Sequence, residues 1–300
     1  MNKGKREQKS EEMIVNKYKE LFSFLPLPPI AVEIAFRTLE VPFYTDTPFN
    51  AYGFVPALIP LWGTDSPSYT GYWKHWFAPQ RQPTFVEVYV RDEYRATEVA
   101  REFAQLMQRI ILTAITIEGK VTPEIQQFSL QASMTPTELN ELADLAQASG
   151  DDDASLLRLP AFAHDPPLTC YRGHAQDYFG DFPNDKMVLT ERRLHSICTF
   201  EVSEELNDHI SHSPLAPPWF TTTDQPQLFA HLLQQNDLHG AWMSLNSTGW
   251  RFIEAKESLK RLGERASRQQ SSLPGFDLLV EAWTAEPHEN SGAMPEEAEY

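Results

Sequence analysis

Residues 61–77 read Leu-Trp-Gly-Thr-Asp-Ser-Pro-Ser-Tyr-Thr-Gly-Tyr-Trp-Lys-His-Trp-Phe. Six aromatics, three of them among the seven Trp of the chain, flank a Gly-Thr-Asp-Ser-Pro-Ser turn. Rings of this size are costly to leave in water, so the block either packs into a core or forms a face that binds another molecule. Turn residues between two β-forming runs predict a hairpin with strands over Val55–Leu61 and Tyr69–Phe77. Strand alternation puts Trp73 and His75 on one face and Tyr72, Lys74 and Trp76 on the other. A Lys between two aromatics lays its stem on the rings and keeps its ammonium wet, so one face is expected to be partly exposed. The candidate partner-binding residues are therefore Asp65, Tyr69, Tyr72, Trp73, Lys74 and Trp76, with core packing as the alternative for each. His75 reads either as a functional group in an aromatic pocket or as a strand residue with one wet edge.

The chain carries 25 Lys and Arg against 42 Asp and Glu, a formal charge of −17. Such a fold repels nucleic acid and anionic membrane, which argues against direct binding of either. The same charge suits a basic partner, and it also serves solubility. Hydrophobic residues at 41% are enough to build a core, which excludes global disorder. The two cysteines, Cys170 and Cys198, make no disulfide framework. The polar N-terminal residues lack an apolar leader segment, and no run of eighteen apolar residues occurs, so a cytoplasmic protein is expected.

The pattern along the chain predicts an α+β fold, an antiparallel or mixed sheet with packed helices, arranged as two segments of the chain. Residues 1–16 are expected as a disordered tail and 286–300 as an acidic disordered one. An α+β segment spans 17–150, Asp151-Asp-Asp153 marks the junction, and a second α+β segment spans 154–285. In the first segment, Leu25-Pro-Leu-Pro-Pro29 forms a rigid turn. Residues 32–39 admit helix or strand. Phe85–Val90 reads as a strand, and apolar steps of three and four from Ala96 to Ile111 read as a helix. Thr122-Pro-Glu124 places an N-cap before a helix, and Thr135-Pro-Thr-Glu138 is a capping box whose helix ends at Ser149-Gly150. In the second segment, Leu194–Val202 reads as a strand. Asp224 caps a short helix over Leu228–Gln234, and a further helix runs from Trp250 to Leu262, closed by Gly263.

Sequence signals for catalysis are sparse. No phosphate-cradling Gly-rich loop, nucleophile elbow, metalloprotease motif or EF-hand loop occurs. The weak metal alternative is Cys170, His174, His195 and Cys198, a donor set that suits zinc at spacings foreign to common fingers. Its simpler reading is two small buried thiols and two surface imidazoles, so no metal and no cofactor is expected. His209 and His212 lack a third ligand. Asp177, Asp181 and Asp185 are close enough in sequence for acid–base work, but they equally form a turn-rich loop.

Residues 54–62, Phe-Val-Pro-Ala-Leu-Ile-Pro-Leu-Trp, lead into the aromatic turn and its second strand. Together with Phe85–Val90 and the helix behind it, this order resembles the SUKH superfamily over residues 54–112. The resemblance implies a non-enzymatic protein-binding module, an immunity protein that neutralises a bacterial toxin by direct contact. The expected partner is then a protein, such as a basic toxin domain, and opposite charges would speed the encounter. A metal-assisted hydrolase and a general interaction scaffold are the rival readings.

Overall fold

A computed structural model describes residues 3–43, 45–46, 54–64, 68–74, 76–77, 82–89, 95–150, 153–167, 199–200, 218–221, 224–247, 250–269 and 273–285. The fold is α+β. Strands β1 (Leu58–Gly63), β2 (Ser68–Trp73), β3 (Thr84–Tyr89) and β4 (Arg95–Ala100) form an antiparallel meander in chain order. The short strand β5 (Thr199–Phe200) adds in parallel at the β4 edge. Cross-strand pairs define two faces of the sheet. Ser68, Thr70 and Tyr72 lie opposite Tyr89, Glu87 and Phe85, while Tyr69, Gly71 and Trp73 lie opposite Val88, Val86 and Thr84.

Helices cover both faces. Helix α1 (Lys3–Phe22) and α2 (Pro29–Ala35) precede the sheet. Helix α3 (Phe103–Glu118) follows β4 and sets Phe103 against Phe85, ring centroids 5.9 Å apart. Then come α4 (Pro123–Gln131), α5 (Pro136–Ser149), α6 (Asp153–Leu156) and α7 (Pro160–His164). The C-terminal part contributes α8 (Pro218–Thr221), α9 (Gln225–Gln234), α10 (Leu238–Leu245), α11 (Phe252–Arg268) and α12 (Phe276–Ala285).

Several boundaries follow from local chemistry. Thr122 Oγ1 accepts from the Ile125 N–H at 3.3 Å, and Pro123 starts α4 where a missing N–H costs nothing. Thr135 and Glu138 form the reciprocal capping box of α5. Asp224 Oδ1 accepts from the Gln227 N–H at 3.0 Å and opens α9.

Other elements differ from the sequence reading. Residues 96–100 are strand rather than helix, because all five are buried between layers and show no alternation to betray the strand. The helix starts only at Phe103, where Gln105 Oε1 accepts from the Glu102 N–H at 3.2 Å. The tail expected over 1–16 is helix from Lys3 onward, and its later turns bury Ile14, Tyr18 and Leu21. Gly263 does not end α11, which continues to Arg268; a side chain there would meet Val280 of α12, so the glycine lets two helices pack closely. Residues 194–198 and 286–300 lie outside the described residues, as do residues 201–202 of the expected strand.

The two halves of the chain share one core. Buried side chains from α1, the sheet, α3 and α9–α12 form a single hydrophobic cluster. Helix α1 packs along α12, with Lys17 Nζ 2.9 Å from Glu281.

Candidate functional site

The aromatic hairpin forms, but its strands run over Leu58–Gly63 and Ser68–Trp73 rather than Val55–Leu61 and Tyr69–Phe77, and most of its rings are buried. Its strands pair from Leu58 opposite Trp73 to Gly63 opposite Tyr69, with a bulge between Pro60 and Trp62. At the bulge the β1 backbone crosses so close to Gly71 that an added Cβ would lie 2.5 Å from the Ile59 carbonyl oxygen. Only glycine fits there.

Tyr69, Tyr72, Trp73 and Trp76 are 1%, 5%, 2% and 4% exposed, which removes the exposed aromatic face that the sequence suggested. The reason is that helices cover both sides of the sheet. Tyr69 meets Phe54 edge to face, and Tyr72 meets Phe85 in the α3 layer. Trp76 packs against Phe276 of α12, ring centroids 5.8 Å apart. Burial pushes the Tyr72 phenol up to about 12, so it stays neutral and supplies no proton chemistry near neutral pH.

Lys74 is half-buried, and it is the ammonium Nζ rather than the stem that sits over the Trp76 ring, 4.1 Å from its centroid. Burial lowers its pKa. Asp65 and His75 lie outside the described residues. So do Cys170, His174, His195 and Cys198, the acids Asp177, Asp181 and Asp185, and the pair His209 and His212. Among the described residues no group of three or more His, Cys, Asp or Glu is placed to hold a metal ion.

A polar cluster lies between the sheet and α3. Ser68 Oγ donates to Glu87 at 3.2 Å and shares a 3.0 Å hydrogen bond with Thr64. Arg109 of α3 pairs with Asp153 of α6 at 2.5 Å. Burial pushes the Glu87 carboxyl above the ordinary carboxylate range, opposed by hydrogen bonds from Tyr89 and Ser68 and by the Arg109 charge. The nearby Asp153 charge adds to the rise, and Arg109 Nη1 and Asp153 Oδ1, though ion-paired, are buried without a hydrogen-bond partner among the described residues.

The surface offers a different candidate. A groove of about 620 Å³ opens between residues 38–42 and the corner of α3 and α4. Leu39, Val41, Pro42 and Phe128 contribute apolar atoms and Thr38, Thr122, Gln127 and Gln131 polar ones, and Glu40, Glu118 and Glu124 set carboxylates around a mostly polar surface. Among the described residues no Lys or Arg lines it. Glu124 sits in the first turn of α4, where a backbone N–H and the Thr122 hydroxyl hold its carboxyl below the ordinary range and keep it charged. Arg37 approaches Glu40 at 3.8 Å on the exposed side. Sequence reasoning missed this site, because Glu40 and Glu124 are far apart in the chain and line one groove only in the folded protein.

No family model, no curated protein and no solved structure matches the chain. Among the described residues no helix is long and apolar enough to cross a membrane.

Proposed function

We propose that the protein is a non-enzymatic binding module that captures a basic protein segment in the groove between residues 38–42 and α4. The observation that carries this reading is a groove in which three carboxylates surround a few apolar groups, with no Lys or Arg among its described lining residues. Such a site suits a segment in which Lys or Arg flank an apolar side chain. The apolar residue would enter the groove and the cations would meet Glu40, Glu118 and Glu124. The net charge of −17 adds long-range attraction for the same partner and speeds association. In this reading the protein resembles an immunity protein that masks a toxin domain in the cytoplasm.

The test is calorimetric binding of a basic toxin domain encoded beside the protein's own gene. The wild-type chain is expected to bind it. The triple change Glu40→Gln, Glu118→Gln and Glu124→Gln should weaken binding by about tenfold or more, with the melting temperature retained because all three side chains are exposed. Binding unaffected by the triple change would refute the groove as the contact surface.

A further inference from the structure

Helix α2 ends on a Schellman motif. The Arg37 N–H donates to the Ile34 carbonyl at 3.0 Å, and the Thr38 N–H donates to the Glu33 carbonyl at 2.9 Å. This ending needs a left-handed residue after the C-cap Phe36, and Arg37 takes that backbone with φ 55°. Glycine adopts it at least cost, and a side chain is disfavoured there. The same pair of bonds closes α4 at Ser133 and α9 at Asn236, where the left-handed residue is small. Among the described residues Arg37 is the one long charged side chain held in this way. The motif turns α2 straight into residues 38–42, which wall the acidic groove. The Leu39 N–H and the Thr38 hydroxyl also donate to the Glu33 carbonyl, at 3.1 and 3.2 Å, so the start of that wall is fixed.

Arg37 does not itself line the groove, yet its Nη2 stands 3.8 Å from Oε1 of Glu40, which does. Both side chains are exposed, so the pair is weak and a better-placed cation can take Glu40 from it. Glu118 and Glu124 make no ion pair among the described residues. We propose that Arg37 is a specificity-determining residue of the acidic groove: it holds Glu40 in the free protein and yields it to a cation of the bound segment. The proposal rests on the groove being where a basic segment binds. A cation that reaches Glu40 must displace Arg37 and only exchanges one exposed pair for another. A cation that reaches Glu118 or Glu124 displaces nothing. The Glu40 end of the groove is therefore the weaker one, and the cations of the segment are drawn to the α3–α4 side, which sets its register.

Calorimetric titration of the full chain with a synthetic peptide in which Lys residues flank Leu tests the proposal. Arg37→Gln is expected to bind the peptide about threefold tighter than the wild type, the size of one exposed ion pair. Arg37→Gly suits the left-handed backbone, so it should match Arg37→Gln and show that the gain does not come from a disturbed turn. In a Glu40→Gln background the Arg37→Gln change should have no effect, because the carboxylate it frees is gone. A gain missing from either Arg37 variant, or one that persists in the Glu40→Gln background, overturns the role of Arg37. The groove reading survives that result if the triple change of Glu40, Glu118 and Glu124 to Gln still weakens binding. A wild-type chain that fails to bind the peptide, or a triple variant that binds it equally well, overturns the groove reading and this proposal with it.

Discussion

Glu87 shows how a single buried carboxyl ties stability to pH. Burial raises its pKa in the folded chain above the ordinary glutamate value, so the folded state favours the protonated form. Below that ordinary value the group is protonated both folded and unfolded, and it costs nothing. As pH rises through the raised folded value, ionisation is easier in the unfolded chain and the folded state loses stability. Glu87→Gln removes the charge and keeps a group that can accept from Ser68. The variant should melt with the wild type near pH 4 and above it near pH 8, by calorimetry at both. A Gln variant less stable at the higher pH would show that Arg109 outweighs burial.

At the scale of elements, the sheet is held by groups that the second half of the chain delivers. Asn246, after α10, accepts from the Ala57 N–H through Oδ1 at 2.7 Å and donates from Nδ2 to the Trp242 carbonyl at 2.8 Å. Trp283 of α12 donates its indole N–H to the Phe54 carbonyl at 2.8 Å. Both contacts fix the segment that leads into β1, and both are buried. Asn246→Ala would leave the Ala57 N–H unpaired in the interior, a loss of about 2–3 kcal/mol that urea unfolding can measure. A change below about 0.5 kcal/mol would mean that water reaches this amide. The capping signals of α4, α5 and α9 were legible because each needs only residues within one turn. Strand β4 was not, because its hydrogen bonds come from β3 and its burial comes from two covering layers.

At the scale of the whole molecule, the described residues of both halves share one hydrophobic core. The junction expected at 151–153 has short helices on its far side, and the core runs past it. Arg101, buried next to Glu98 at 3.6 Å, also reaches Asp165 at 3.5 Å, and Gln105 Nε2 donates to the Asp165 carbonyl at 2.7 Å. These contacts bind the start of α3 to the chain beyond the junction. Residues 1–150 alone would expose the face of α1 that α12 covers and leave the Phe54 and Ala57 backbone groups open. The isolated fragment should therefore lack the dispersed amide spectrum of a folded domain, and the full chain should melt in a single transition. A folded 1–150 fragment, or two separate transitions, would contradict the shared core.

The sequence by itself determined the α+β class, the hairpin around Gly63 and the capped helices, because each rests on short-range periodicity or on a side chain bonding to its own turn. Its aromatic block also announced that something large had to be buried or bound. Only the tertiary structure decided which. A strand pattern states that two faces exist, but what buries the aromatic block comes from α3, which meets Phe85, and from α10 and α12 far later in the chain, which meet Phe77, Trp76 and Phe54 at the ends of the hairpin. The acidic groove was equally hidden, since carboxylates of Glu40, Glu118 and Glu124 are ordinary surface charges until the fold brings them around one hollow.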